Sequence, residues 1–201
     1  MSAVSHYLSG SPRCYRRVAE EIRSTFTSAD EIRLGPKLNS CVFLRACIDE
    51  ALRLSPPGGA SFWRRVEPGG SSIGGEFIPE GCEVGVGVYA MHHHPGYWVD
   101  PLTYKPERWL VDKSKAKEAD VRLPYFPFHI GARSCVGKPL ALNQIMLTFA
   151  RLFWEFDFQR AGKGLDSPGI DDEENMPTEY LLKEHVSGQG NGPILCFKVR
   201  V

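Results

Sequence analysis

A ten-residue segment holds the side chains best suited to chemistry in this 201-residue chain. Residues 128–137 read Phe-His-Ile-Gly-Ala-Arg-Ser-Cys-Val-Gly, and a helical pattern begins directly after them, at Lys138. We therefore expect Cys135 near a helix N-terminus, where free backbone N–H groups and the helix dipole favour a thiolate. A thiolate held in this way, with Arg133 two residues before it, is suited to be the axial ligand of a haem iron.

The neighbours of the cysteine favour the same chemistry. Gly131 and Gly137 allow the backbone to turn tightly and to approach a flat ring without Cβ clashes. Arg133 is expected to form a charge-assisted hydrogen bond with a haem propionate, and Phe128 to cover the sulfur side of the ring. An isolated cysteine in such a loop would be structural, but this combination of residue types at fixed spacing favours a ligand.

With two further motifs, the chain resembles the cytochromes P450, the haem-thiolate monooxygenases. Glu50-Ala-Leu-Arg53 is similar to the family's Glu-x-x-Arg motif, and Pro106-Glu-Arg108-Trp is similar to its Pro-Glu-Arg-aromatic motif. Both precede the cysteine loop in the family's order, with a Pro/Gly-rich strand region between them. The resemblance runs from about Pro12 to the end of the chain and is closest in style to filamentous-fungal members.

The resemblance implies an α+β fold that is mainly α. It would be the C-terminal portion of the cytochrome P450 fold, with small β-sheets, a meander, a cysteine loop that ligates haem and a long helix after it. Residues 1–201 would form a partial domain, and residues 1–8 resemble the last turns of the family's central helix. That helix carries an Ala/Gly-Gly-x-Asp/Glu-Thr-Thr motif for oxygen activation. The motif does not occur in the sequence, so no catalytic residue is predicted.

The resemblance also implies a structural triad of Glu50, Arg53 and Arg108. In the family, the glutamate and arginine of the helix bond to the arginine of the Pro-Glu-Arg segment and pin the meander behind the cysteine loop. A ligand on a loop needs such rigid support to keep its position. A Glu/Arg pair three residues apart is weak support by itself, since surface helices carry many such pairs.

Other haem contacts are predicted less directly. Family members place a propionate-binding arginine near Arg64 and Arg65, and adjacent strand residues point to opposite faces, so one of them would face the haem; we favour Arg64. His129 is interpreted either as a second propionate donor or as a partly exposed loop residue. Residues 58–63 correspond to a substrate-lining stretch in the family, or form an ordinary strand entry.

Three adjacent histidines, at positions 92–94, raise the alternative of a metal site. Consecutive residues on an extended chain point in different directions, so three in a row seldom share one ion. We therefore do not predict a metal site there, and Cys135 remains the only predicted metal ligand, through the haem iron.

Periodicity and turn residues predict the elements that must position these groups. The predicted helices begin after Ser11-Pro12, near Asn39 and at Lys138, and the last has a buried stripe of Ala141, Ile145, Thr148, Phe149, Leu152 and Phe156. The predicted strands are residues 61–66, 75–78 and 82–88, with a turn at 79–81, and residues 180–182 paired with 194–199 around the glycine-rich segment 188–192. Residues 94–127 are predicted to be an irregular meander with an insert at 113–120, and residues 161–178 a loop.

Composition limits the function classes. The chain has 24 basic and 24 acidic residues and a formal net charge of zero, which argues against nucleic-acid binding and a polybasic membrane patch. Its six cysteines lack Cys-x-x-Cys spacing, which argues against a zinc ribbon or a disulfide framework and favours an intracellular, reducing compartment. No apolar run is long enough to span a bilayer, although fungal relatives are usually anchored to the endoplasmic reticulum membrane.

The predicted function is therefore haem-thiolate monooxygenation. The chain would hydroxylate a small apolar organic substrate with O2 and electrons from an NADPH-dependent reductase, in the manner of fungal secondary metabolism. Two alternatives stay open. One is a catalytically incomplete, truncated family member or haem-binding remnant, because the oxygen-activating motif is missing. The other is a different use of the thiolate, such as peroxide-driven oxygen transfer or dehydration.

Overall fold

Helices make up most of the regular secondary structure in the part of the chain that the structure describes. The computed structural model describes residues 1–110, 124–161, 179–180, 182 and 192–200. In these parts of the chain the α-helices are α1 (Ser2–Gly10), α2 (Pro12–Thr25), α3 (Pro36–Asn39), α4 (Val42–Leu54), α5 (Val88–His92) and α6 (Lys138–Glu155). Short 3-10 helices cover Ala29–Glu31, Pro106–Trp109 and Gly131–Arg133. The predicted mainly α-helical fold with small sheets is confirmed. None of the described helices is long and apolar enough to cross a membrane.

Helix α4 lies at the centre of the core, in contact with α1, α2 and α6. It is buried around most of its circumference, including its polar residues Glu50 and Arg53. Its N-terminus is capped from α2, because the Glu21 carboxylate accepts hydrogen bonds from the Phe43 and Leu44 N–H groups, each at 2.8 Å. A carboxylate at this position satisfies free N–H groups and opposes the positive end of the helix dipole. The helix that was predicted to begin near Asn39 begins at Val42, because Ser40 and Cys41 separate the short helix α3 from α4.

Helix α2 begins as the sequence predicts, with Pro12 in its first turn. Proline suits that position because its missing N–H would have no partner within the helix. Val18, Ala19 and Ile22 on one face of this helix, and Phe26 directly after it, are buried in the core.

Helix α6 begins at Lys138 as predicted, but its buried face differs from the predicted one. The buried residues are Leu142, Ile145, Met146, Phe149, Ala150 and Phe153. Only Ile145 and Phe149 belong to the predicted stripe. The helix carries apolar residues on more than one side, so its periodicity did not determine which side would meet α2 and α4.

The sheets within the described residues are three antiparallel pairs of strands. Strand β1 (Arg64–Arg65) pairs with β4 (Glu83–Val84), β2 (Ser71–Ile73) with β3 (Glu76–Ile78), and β5 (Phe156–Arg160) with β6 (Leu195–Val199). The strands predicted at 61–66 and 82–88 are therefore too long, since only residues 64–65 and 83–84 form strands. Val88 begins a helix. The turn at 79–81 does not join a hairpin. The tight hairpin turn lies at Gly74 and Gly75, whose φ angles of 61° and 92° favour glycine.

The predicted pairing of residues 180–182 with 194–199 is wrong. Strand β6 pairs instead with β5, which directly follows α6 and was not predicted. Tyr180 is buried without strand pairing, and its N–H donates to the Tyr7 hydroxyl at 3.1 Å. The predicted insert at 113–120, the loop at 162–178 and the segment 188–191 lie outside the described residues.

Candidate functional site

The loop that carries Cys135 is closed by its own backbone. The Cys135 N–H donates to the Phe128 carbonyl at 2.8 Å, and the Ser134 N–H donates to the Gly131 carbonyl at 3.0 Å. Gly131 has a φ of 74° and His129 a φ of 59°, both in the left-handed region. Glycine adopts that region without steric cost, whereas histidine does so less readily. The loop therefore has a defined, hydrogen-bonded shape that presents the cysteine at its end.

The Cys135 thiol is exposed and lies two residues before Gly137, the N-cap of the 18-residue helix α6. Gly137 has an ordinary φ of −79°, so its backbone does not require glycine. A Cβ at this position would lie 3.6 Å from the Cys135 Sγ, however. Gly137 thus keeps side-chain atoms away from the sulfur, and the sulfur remains accessible.

Exposed apolar side chains and one exposed arginine neighbour Cys135 along the chain. Ile130, Val136 and Leu140 have exposed fractions of 74%, 98% and 72%. Arg133 is exposed and has no hydrogen bond or ion pair among the residues that the structure describes. Clustered exposed apolar side chains mark binding surfaces. A soft sulfur donor, a free guanidinium and an apolar surface suit a flat, apolar, anionic cofactor with a metal at its centre, so these residues fit a haem.

The other predicted haem contacts lie in different surroundings. The Phe128 ring is half-buried and packs against the hydrophobic core. His129 makes an edge-on contact with Phe62, with ring centroids 4.0 Å apart, which brings residues 58–63 next to the cysteine loop. Arg64 is exposed and donates to the adjacent Trp63 carbonyl at 2.9 Å, while Arg65 lies 4.0 Å from the Glu83 carboxylate.

The structure joins Glu50, Arg53 and Arg108 in one buried cluster centred on the Glu50 carboxylate. Oε1 accepts from Arg53 Nη2 at 2.9 Å, from Arg108 Nε at 2.9 Å and from the Lys105 N–H at 3.1 Å. Oε2 accepts from Arg53 Nε at 3.0 Å and from Trp109 Nε1 at 2.9 Å. Sequence reasoning missed the Lys105 and Trp109 donors. The only signal for Trp109 was its place as the aromatic residue of the Pro-Glu-Arg motif.

The remaining guanidinium donors bind backbone carbonyls of the meander. Arg53 Nη1 donates to the carbonyls of His92 and Pro101, at 2.8 Å and 2.7 Å. Arg108 Nη1 donates to the Val99 carbonyl at 3.0 Å. Charges at this depth are tolerated only when they are paired and their hydrogen-bonding groups are satisfied. The cluster therefore ties the end of α4 to several points of the segment that follows α5.

An ion pair on the protein surface extends from this segment to α2. Arg13 Nη2 donates to the Glu107 carboxylate at 3.1 Å, and Arg17 lies 3.4 Å from it. The hydrogen bond from Arg13 lowers the pKa of Glu107 below its usual value. Glu107 and Arg108 thus bind in opposite directions, one toward α2 and the other toward α4.

The three histidines do not converge. His92 is buried and bonds the backbone at Arg53 and Phe126, His93 bonds the Tyr89 carbonyl, and His94 accepts from the Gly96 N–H. Among the described residues, no group of three His, Cys, Asp or Glu side chains is placed to hold a metal ion. Burial lowers the pKa of His92 to about 4.

Comparison with known proteins agrees with the motifs. The cytochrome P450 family model matches residues 3–174. Cytochrome P450 monooxygenase lcsN of Purpureocillium lilacinum is 56% identical over 203 residues, which cover 100% of this chain and 60% of that protein. Cytochrome P450 monooxygenase poxM of Penicillium oxalicum is 46% identical, covering 98% of this chain and 36% of the relative. For apf8 of Gibberella fujikuroi, a cytochrome P450 monooxygenase, the identity is 43%, and the match covers 100% of this chain and 55% of the relative.

The chain therefore spans between 36% and 60% of the length of these three curated relatives. The family match nevertheless extends over most of its residues and includes the Glu50 cluster and the Cys135 loop. On this match, the chain belongs to the cytochrome P450 family.

Proposed function

We propose that this chain is the C-terminal part of a haem-thiolate monooxygenase in which Cys135 is the axial ligand of the iron. One observation carries the proposal: an exposed thiol, held by a closed loop at the start of α6, is flanked along the chain by exposed apolar side chains and by Arg133, which has no partner among the described residues. Membership of the family implies a haem cofactor. The residues present suit such a group in charge, polarity and ligand type.

The predicted site residues have distinct roles in this proposal. Cys135 Sγ would bind the iron, and Arg133 would pair with a propionate. Gly131 and Gly137 would leave room for the ring, since a Cβ at Gly131 would meet open space and one at Gly137 would approach the sulfur. Phe128 would shield the sulfur from water. His129 and Arg64 are the candidates for further propionate contacts.

Other parts of the chain determine where the sulfur of Cys135 lies. The loop places Cys135 just before the first turn of α6, at the positive end of the helix dipole. In this proposal the Glu50 cluster would support the loop, since Arg53 and Arg108 hold the Pro101 and Val99 carbonyls of the segment that precedes it in the chain. Such outer contacts determine where a ligand can lie.

When bound, a thiolate-ligated haem supplies oxygen activation and oxidation of C–H bonds. The proposed activity is hydroxylation of a small apolar organic substrate, with O2 as oxidant and electrons from an NADPH-dependent reductase. The contact between Phe62 and His129 supports residues 58–63 as part of the substrate wall. The oxygen-activating acid/alcohol motif does not occur in the sequence, so that step is assigned to none of these residues.

Haem titration followed by optical spectroscopy tests the proposal. The wild-type chain should take up haem and show, when reduced under carbon monoxide, the red-shifted Soret band that thiolate ligation produces. The variant Cys135→Ser should lose that band.

The matched control is Cys82→Ser, because Cys82 is the other exposed cysteine among the described residues and is not part of the Cys135 loop. It should keep the wild-type spectrum. Unchanged haem uptake and colour in Cys135→Ser would exclude Cys135 as the ligand. If the wild-type chain shows the thiolate spectrum, product formation with a reductase and NADPH would distinguish a monooxygenase from a protein that only binds haem.

A further inference from the structure

His92, the last residue of α5, is a fully buried imidazole between α4 and the segment that enters the cysteine loop. Its Nε2 lies 3.0 Å from the Phe126 backbone nitrogen, and its Nδ1 lies 3.3 Å from the Arg53 carbonyl oxygen. Both ring nitrogens therefore have backbone partners that are distant in sequence. Packing alone would require only an aromatic ring of similar size.

The two partners determine the protonation of the ring. Because the Phe126 N–H is a donor, Nε2 must accept and carry no proton. Nδ1 then holds the proton and donates it to the Arg53 carbonyl. Burial keeps the imidazole neutral near pH 7, since it lowers the pKa of His92 to about 4. A neutral ring with this tautomer is the form that can bind both segments at once.

The contact with α4 is reciprocal. Arg53 Nη1 donates to the His92 carbonyl at 2.8 Å, while the His92 ring donates to the Arg53 carbonyl. Arg53 is in turn held by both oxygens of Glu50. His92 is thus fixed on one side to the fully buried ion pair of Glu50 and Arg53.

On its other side, His92 is connected to the loop by a short series of backbone bonds. The Phe126 carbonyl accepts from the His129 N–H at 2.9 Å. Two residues after Phe126, the Phe128 carbonyl accepts from the Cys135 N–H at 2.8 Å. The bond from the Phe126 N–H to His92 therefore joins this segment to the core just before it forms the loop, next to the bond that the Tyr125 hydroxyl donates to the Asp49 carboxylate at 2.8 Å.

We propose that His92 is a positioning residue for Cys135. Its imidazole couples the C-terminal end of α4 to the start of the cysteine loop and so determines where the sulfur lies. The importance of the sulfur rests on the proposed function, but the coupling of the two segments does not. Removal of the acceptor at Nε2 would leave a partly buried N–H without a partner, which proteins seldom tolerate.

Two isosteric substitutions separate this role from packing. In His92→Asn the side-chain amide reaches the place of Nδ1, so it can donate to the Arg53 carbonyl but cannot reach the Phe126 N–H. In His92→Gln the longer side chain places its carbonyl oxygen where Nε2 was, so it can accept from Phe126. The control is His94→Asn, because His94 is exposed and bonds only the nearby Gly96 N–H.

Hydrogen exchange of the Phe126 and Cys135 amides in the complete chain gives the first readout, and it does not depend on haem. We expect about tenfold faster exchange at both amides in His92→Asn, as for the loss of one hydrogen bond, and near wild-type rates in His92→Gln and His94→Asn. The fraction of haem-loaded protein with the thiolate-type spectrum is the second readout. It should fall in His92→Asn and recover in His92→Gln.

Wild-type exchange rates in His92→Asn would refute the positioning role. Faster exchange at Phe126 with no change at Cys135 or in the spectrum would refute it as well. If Asn and Gln lower the melting temperature equally and exchange alike, the ring contributes only packing. A wild-type chain without the thiolate spectrum would overturn the proposed function, while the exchange data would still decide whether His92 couples α4 to the loop.

Discussion

Replacement of Glu50 by glutamine probes the buried cluster with the smallest change in shape. The Glu50 carboxylate is fully buried and accepts five hydrogen bonds, three at Oε1 and two at Oε2. A glutamine side chain has one oxygen and one NH2 group. In either orientation the NH2 group faces at least two donors, and the guanidinium groups of Arg53 and Arg108 lose their shared counter-charge.

The expected loss of stability follows from these contacts. Removal of one partner from a buried ion pair costs about 3–5 kcal/mol, because it leaves an uncompensated buried charge. The total free energy of unfolding of a domain is about 5–15 kcal/mol. With a urea m-value of about 2 kcal/mol/M, Glu50→Gln should lower the unfolding midpoint by about 2 M, or leave the chain unfolded.

Equilibrium urea unfolding followed by circular dichroism measures this change. The matched control is Glu107→Gln, which also removes one carboxylate, but from a partly exposed ion pair with Arg13. Exposed pairs contribute about 0–1 kcal/mol, so the control should unfold close to the wild-type midpoint. Equal, small shifts in the two variants would refute the conclusion that the Glu50 cluster stabilises the fold.

Three further outcomes are expected. Trp109→Phe removes one of the two donors to Glu50 Oε2 and should cost about 1–2 kcal/mol in urea unfolding; an unchanged midpoint would mean that this bond contributes nothing. Phe149→Ala empties a fully buried position in α6 and should cost about 3–5 kcal/mol by the same measurement, whereas a surface-like loss below about 1 kcal/mol would contradict the packing of that helix. Burial lowers the pKa of His92 from 6.5 to about 4, so its imidazole binds a proton more weakly in the folded chain than in the unfolded chain. The stability from the neutral ring should therefore be complete above pH 6.5 and decline by about 3 kcal/mol as the pH falls toward 4. Urea midpoints measured against pH for wild type and His92→Gln check this, and parallel curves for the two proteins would contradict it.

Local patterns in the sequence were enough to identify the main helices and the two segments that form the candidate site. Helix α2 begins at Pro12 directly after Ser11, and α6 begins at Lys138 directly after Gly137, with Pro139 in its first turn. The hydrogen bonds of both helices join residues four apart. The cysteine loop and the Pro-Glu-Arg segment are recognisable because each is a short run with fixed spacing. Such features depend on neighbours in the chain, so they can be read from the chain alone.

The pairing of strands was decided by the tertiary structure. Strand β6 pairs with β5, and the sequence near Gly81 suggested a hairpin that does not form. Short strands have little pattern of their own, and their partners depend on which segments the packed helices bring together. The buried face of α6 was undetermined for the same reason, because more than one of its sides is apolar.

The support of the candidate site also lay beyond the sequence. Glu50 and Arg108 were expected to meet, but the additional donors from Lys105 and Trp109, and the two bonds of the His92 ring, were not foreseen. The sequence by itself was enough to propose which side chains would bind a cofactor, because that proposal rests on their chemistry and local spacing. Only the folded structure determined which partners hold them, because those hydrogen bonds join residues tens of positions apart that become neighbours through burial of the core.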